Sequence, residues 1–235
     1  MASLHDKKGK PVLGSVLVIG GCGFLGHHIV NLLLSSYNCQ ISVLDLRTTT
    51  NRLPASSGVK YYDGDITSME SMLPIFQKSK PDVVIHTASP VAVADVSQKT
   101  KQLYYKVNVE GTKCVIEACQ KAGVKALVYT SSASVVSDNE NDLINVDERW
   151  PVVPPKFQTE YYSQTKVRST PLRLPRNPNH PLHSICYNFP ELFHCTNITL
   201  LSSSGRSRIP SHCRKPLLCP PKPPNHLPPP RRHLR

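Results

Sequence analysis

Tyr162 and Lys166 stand four residues apart in Tyr162-Ser163-Gln164-Thr165-Lys166, inside a stretch whose pattern predicts a helix starting near Thr159. That spacing puts a phenol and an ammonium on one helix face. A cation nearby lowers a phenol's pKa, so Tyr162 could exchange a proton with an alcohol near neutrality, and Lys166 could also hold a ribose. Taken alone, the pair reads equally well as a solvated helix face, and neighbouring Tyr161 has the wrong spacing to Lys166. About 30 residues earlier, Ser131-Ser132 closes an apolar run. A hydroxyl there could orient a reacting oxygen, or could simply end a strand.

A second constellation lies near the start. Gly20-Gly21-Cys22-Gly23-Phe24-Leu25-Gly26 is a GxxGxxG turn between a β-branched run and an amphipathic stretch. Glycines there permit a tight turn and let backbone N–H groups approach a pyrophosphate, and the helix that follows adds its dipole. Strand before and helix after are the context that such a turn needs if it is more than an ordinary connection. Asp45 ends the next apolar run, 19 residues past Gly26, where a carboxylate would grip the adenosine ribose and repel a 2′-phosphate. NAD is therefore expected over NADP, although Arg47 is close by. Asp65-Ile66 follows the third run, and either holds an adenine edge or caps a helix at Asp65.

These residues need a frame, and the pattern supplies one. Strands are expected at Ser15–Gly20, Gln40–Asp45, Lys60–Asp63, Asp82–His86 and Ala126–Ser131. Helices are expected at Phe24–Ser36, Met69–Gln77, Gln98–Lys121 and from Thr159. Apolar strands alternating with helices imply a doubly wound, Rossmann-like α/β fold with a parallel sheet buried on both faces. The second and third strands should lie on one side of the first, and the fourth and fifth on the other. Ser132, Tyr162 and Lys166 should then face one cleft above the glycine turn, with the Ser132 and Tyr162 oxygens close together.

The stretches VLVIGGCGFLG, VVIHTASP, YYKVNVEGTKCVIEAC, VYTSSASVV and YYSQTK, between residues 13 and 166, resemble the successive landmarks of extended short-chain dehydrogenases. Within them, IHTAS and YTSSxSVV are more similar to the 3β-hydroxysteroid dehydrogenase / sterol-4α-carboxylate 3-dehydrogenase family than to nucleotide-sugar epimerases, which usually carry Tyr-Gly where Val136-Ser137 stands. The resemblance implies an NAD-dependent oxidoreductase acting on a sterol 3β-hydroxyl. It implies Ser132, Tyr162 and Lys166 as catalytic residues, with Asn108 as a fourth member in a proton relay. Gly20, Gly23, Phe24, Leu25, Gly26, Asp45, Asp65 and Ile66 would hold the cofactor together with His86, Ala88, Ser89, Tyr162 and Lys166. It also implies a homodimer, placed in the cytoplasm or peripherally on the cytoplasmic face of the endoplasmic reticulum. A non-catalytic nucleotide-binding regulator and a sugar-nucleotide epimerase are the alternatives on the same fold. Intact Ser132, Tyr162 and Lys166 weigh against the regulator.

The chain departs from the family after Lys166, where Val167-Arg168-Ser169-Thr170-Pro171 replaces an Ala/Glu-rich helix. Residues 167–235 hold 14 of the 22 prolines, 11 Lys+Arg against one acidic residue, and a single glycine, Gly205. Residues 1–166 hold 17 Lys+Arg against 15 Asp+Glu, so the net charge of +12 belongs mainly to the tail. That distribution argues against a specific nucleic-acid partner for residues 1–166. Proline blocks helix and central strand, and few apolar residues cannot offset ordering entropy. The expectation is a disordered basic tail at 167–235, of the composition that out-of-frame or intron translation produces. The substrate domain would be lacking, the sheet edge exposed and dehydrogenase activity impaired. Pro220/Pro223 and Pro221/Pro224 lack well-placed basic residues for an SH3 ligand, the tail's His and Cys lack zinc spacing, and Asn197-Ile198-Thr199 fits a glycosylation acceptor only on a secretory route. No metal site is expected. No CxxC pair, leader or membrane-length apolar run occurs, which points to a reduced intracellular compartment.

Overall fold

The computed structural model describes residues 9–93, 97–138, 143, 146 and 150–169, together with the backbone of 183–187. Its elements run β1 (Val12–Ile19), α1 (Phe24–Ser36), β2 (Asn38–Asp45), β3 (Lys60–Asp63), α2 (Met69–Ser79), β4 (Val83–His86), α3 (Gln98–Tyr104), α4 (Thr112–Ala122), β5 (Ala126–Thr130), α5 (Tyr161–Ser169) and β6 (His183–Tyr187). The strands form one sheet in the order β3-β2-β1-β4-β5-β6, with every neighbouring pair parallel. β2 and β3 lie on one side of β1, and β4 and β5 on the other, as the alternation of elements requires.

The alternating side chains of each strand divide the core in two. Val16 and Val18 of β1 join Ile41, Val43, Val83, Ile85 and Val128 on the face covered by Ile29, Val30 and Leu33 of α1. Leu17 and Ile19 join Leu44, Val84 and Leu127 on the other face, under Met72, Ile75 and Phe76 of α2 and Val115, Ala118 and Cys119 of α4. Both faces of β1 are thus sealed, with Val16 to Ile19 at 0% exposure. That rigidity holds the β1–α1 turn against the carboxyl ends of β2 and β4.

Two features differ from expectation. The helix expected over Gln98–Lys121 is interrupted by a π-helical stretch at Tyr105–Gly111. One residue too many per turn is tolerated there because Asn108 turns inward onto two side-chain partners, and because Gly111 lets Ile66 approach, with Cδ1 2.8 Å from where a Cβ would stand. The second is β6, which lies in the stretch expected to be disordered. Residues 183–187 are free of proline, contain Ile185 and Tyr187, and meet an open parallel edge; Val128 of β5 pairs with Ile185. The β5 edge is therefore covered, and Val167 and Ser169 belong to α5 and are buried. The PxxP pairs, the glycosylation acceptor and the rest of the basic tail lie outside the described residues. Among the described residues, no helix is long and apolar enough to cross a membrane.

Candidate functional site

One end of the site is built from backbone. Gly20 ends β1 with φ +82°, and a Cβ on it would lie 2.7 Å from the Ala88 nitrogen, so the chain after β4 can press directly against the turn. Thr87 fixes that contact, with its N–H and its hydroxyl each donating to the Ile19 carbonyl at 2.9 Å. Gly26 faces inward, where any side chain would collide with the Gly20 carbonyl. The first turn of α1 therefore sits directly on the loop. Gly23 caps α1 without a side-chain hydrogen bond, and no acidic residue stands in the first turn. The amide groups of a 13-residue helix are left facing outward, as an anion requires.

Asp45 closes this end. Its carboxylate accepts the Cys22 N–H at 3.0 Å and the Leu46 N–H at 2.8 Å, tying the lip of β2 to the glycine turn. Gly20, Gly23, Asp45, Asp65, Ile66, Ala88 and Ser89 all line one groove of about 590 Å³, which is the size of a small-molecule site. Asp65 also shapes its own turn, accepting the Thr67 N–H and hydroxyl at 2.8 Å each, while Ser68 is the cap of α2. Arg47, Thr49 and Thr50 stand on the same wall. A loop that no Cβ could occupy, a bare helix N-terminus and a carboxylate at the second strand's end together fit a dinucleotide.

Three residues expected at the cofactor do not line the groove, although Phe24 and Leu25 supply the backbone of the first turn of α1. Phe24 is 75% exposed and packs edge-on against His28. Leu25 packs into the core under α1. His86 does not line the groove: it is 1% exposed, with Nε2 3.3 Å from Thr112 Oγ1 and its ring 5.4 Å from that of Tyr129. At the end of a strand buried on both faces, its side chain points into the helix layer rather than into the groove. Burial, reinforced by the Lys166 charge, holds the imidazole down to about 3, so it is neutral.

The other end is built from side chains. Ser89, on the groove wall, donates to Asn108 Oδ1 at 2.9 Å. Asn108 Nδ2 donates to Thr165 Oγ1 at 3.0 Å, and Thr165 Oγ1 donates back to the Tyr162 carbonyl at 2.7 Å. These bonds link the loop after β4, the π-helical stretch and α5. Tyr162 meets the Tyr104 ring edge-on at 5.5 Å, and Tyr104 Oη in turn holds the loop after β4, donating to Val91 O and accepting from Val93 N–H.

Lys166 is 3% exposed and lies 5.9 Å from the Tyr162 ring centroid. Its Nζ donates to Thr130 O at 3.3 Å and to Tyr129 Oη at 3.5 Å. Burial pushes Lys166 down to about 8. Burial also raises the Tyr162 phenol above its ordinary value, opposed by the Ser89 hydroxyl. The expectation of a lowered phenol is thus corrected: burial, with the Tyr104 hydroxyl adding to it, outweighs the Ser89 hydroxyl. Ser132 caps the turn Ala133–Val136, accepting the Ser134 N–H at 3.2 Å, with its Oγ 2.7 Å from Ser134 Oγ. Its hydroxyl is engaged in its own turn.

Thr165, Tyr104, Tyr129 and Ser169 carry this arrangement without having been singled out. Thr165 was legible as the residue before Lys166 whose hydroxyl can reach back along the helix; the others had no local signal.

Residues 17–179 match the 3-beta hydroxysteroid dehydrogenase/isomerase family. The decarboxylating sterol-4-alpha-carboxylate 3-dehydrogenase of Candida albicans is 38% identical over 180 residues, which is 74% of this chain and 49% of that protein. Its Schizosaccharomyces pombe counterpart is 44% identical over 156 residues, 66% of this chain and 43% of that protein. Among solved structures, UDP-glucose 4-epimerase of Thermus thermophilus in complex with NAD superposes with a TM-score of 0.61 at 28% identity, covering 73% of this chain and 53% of that one. The chain spans about half the length of the curated relatives it matches.

Proposed function

The chain belongs to the 3-beta hydroxysteroid dehydrogenase/isomerase family, and from that membership we propose that it carries the cofactor-binding and proton-transfer half of an NAD-dependent dehydrogenase acting on a sterol 3β-hydroxyl. Residues 1–166 are the NAD domain in this reading. The observation that carries it is the continuity of the site: Ser89 stands on the wall of the glycine-loop groove and joins Tyr162 through Asn108 and Thr165.

Gly20, Gly23 and the first turn of α1 would hold the pyrophosphate, Asp45 the adenosine ribose, and Asp65 with Ile66 the adenine edge. Ala88 and Ser89 would line the nicotinamide side. When bound, NAD⁺ supplies the acceptor for the hydride that leaves the sterol carbon. Tyr162 would take the hydroxyl proton as its own phenolic proton passes to the Ser89 hydroxyl and on to water in the groove. Ser132 would orient that oxygen once its hydroxyl turns from Ser134, and Lys166 would support the phenol and the nicotinamide ribose. Asn108 keeps Ser89 and Thr165 in place for the relay. A product carrying a 4α-carboxylate is a β-keto acid, which loses CO₂ readily. The names of the sterol dehydrogenases similar to this chain support that substrate class, and the proposal extends to a homodimer at a membrane surface.

Calorimetric titration of the full chain with NAD⁺ and NADP⁺ tests the reading. NAD⁺ binds more tightly, and Asp45→Ala narrows the preference. Tighter NADP⁺ binding would assign the ribose wall to Arg47; binding of neither, by a folded chain, would sink the dehydrogenase reading.

A further inference from the structure

The proposed reaction makes no use of a buried cluster behind Lys166. Tyr129 is 4% exposed, at the end of β5, with its ring against His86. Ser169, 2% exposed, comes from the last turn of α5. The two hydroxyl oxygens are 2.8 Å apart. Ser169 Oγ also lies 3.0 Å from the carbonyls of Thr165 and Lys166, to which it donates. A serine that spends its proton on its own helix can only accept from Tyr129. Tyr129 therefore spends its proton on Ser169, and its oxygen lone pairs are left for Lys166 Nζ, 3.5 Å away.

The direction of every bond in this chain follows: Nζ–H to Tyr129 Oη, Tyr129 O–H to Ser169 Oγ, Ser169 O–H to the helix carbonyls. A hydroxyl that donates onward is a better acceptor than an isolated one. Nζ also lies nearer the Tyr129 ring centroid, at 5.2 Å, than the Tyr162 ring centroid, at 5.9 Å. Among the described residues, titratable neighbours come from three elements: His86 of β4, Tyr129 of β5 and Tyr162 of α5 itself.

We propose that Tyr129 is a positioning residue for Lys166: its buried hydroxyl, oriented by Ser169, accepts the ammonium and anchors the side chain beneath the site. The proposal rests on the reading of Lys166 as the partner of Tyr162, but the anchor is testable on the lysine itself.

The test is side-chain NMR titration of the full chain with isotopically labelled lysine, the Lys166 signal being assigned by its loss in Lys166→Arg. Wild type titrates near 8. In Tyr129→Phe the ring remains packed while the ammonium loses an acceptor, so the midpoint falls by about one unit. Ser169→Ala gives a smaller fall, because Tyr129 Oη becomes a weaker acceptor. A purely structural hydroxyl predicts the opposite: loosened packing admits water, and the midpoint climbs toward 10.5. An unchanged or raised midpoint in folded Tyr129→Phe overturns the proposal; if that variant does not fold, the same outcome in Ser169→Ala does so. The result is independent of cofactor titration, so a chain that binds no NAD⁺ but shows the fall would lose the dehydrogenase reading and keep the anchor.

Discussion

The glycine-loop end and the α5 end of the site are made in opposite ways. At the first, the working surface is main chain: Gly20 against Ala88, Gly26 against Gly20, and an uncapped helix start. Of its charged side chains, Asp45 is held by two amides. At the second, the working groups are buried and half-buried side chains drawn from the loop after β4, from β5, the π-helical stretch and α5, and each is positioned by another: Ser89 by Asn108, Asn108 by Thr165, Lys166 by Tyr129 and Thr130. A surface of backbone tolerates no added atom but is indifferent to pH. A surface of buried polar groups tolerates conservative changes in size but is sensitive to protonation, because every charge there has lost its water.

The contrast can be broken at its strongest point first. Gly26→Ala places a methyl on the Gly20 carbonyl oxygen. Relief requires moving α1 off a sheet that is sealed on both faces, so denaturant unfolding should show a loss of about 3 kcal/mol. A stable variant with intact nucleotide affinity would show that the loop is less tightly made than described.

Acid should act next, at the other end through His86. His86 is held down to about 3 against an ordinary 6.5. As pH falls through 6.5 the unfolded chain takes up this proton while the folded chain does not, so stability falls between 6.5 and 3. From about pH 7 to pH 5 the His86 share is about 2 kcal/mol. Other groups titrate in that range, so the measurement is the difference between wild type and His86→Gln, whose profile should be flatter by that amount. Parallel profiles would mean that the imidazole is not held neutral by burial.

The smallest effect sharpens the comparison. Asp45→Asn keeps the shape but weakens the hydrogen bonds from Cys22 and Leu46, costing about 1 kcal/mol in urea unfolding. A loss as large as that of Gly26→Ala would mean that the carboxylate, rather than the close backbone packing, builds the nucleotide end.

The amino-acid sequence by itself determined the order of strands and helices, the parallel sheet and the backbone end of the site. Those depend on periodicity within a few residues and on a glycine turn in which Gly26 meets Gly20 nearby in the chain, so α1 was expected at the very bounds it occupies, Phe24–Ser36. The Tyr162–Lys166 pair was legible for the same reason. Tertiary structure alone decided what those two residues meet. Asn108 reaches Thr165 across 57 residues, Tyr129 reaches Ser169 across 40, and Lys166 reaches Tyr129 across 37. No local pattern records such pairs, and burial, which follows only from the assembled layers, raised a phenol that was expected lowered and turned His86 from a groove residue into a neutral core one. β6 belongs here too, since a proline-free run becomes a strand only when an open edge of the sheet lies beside it.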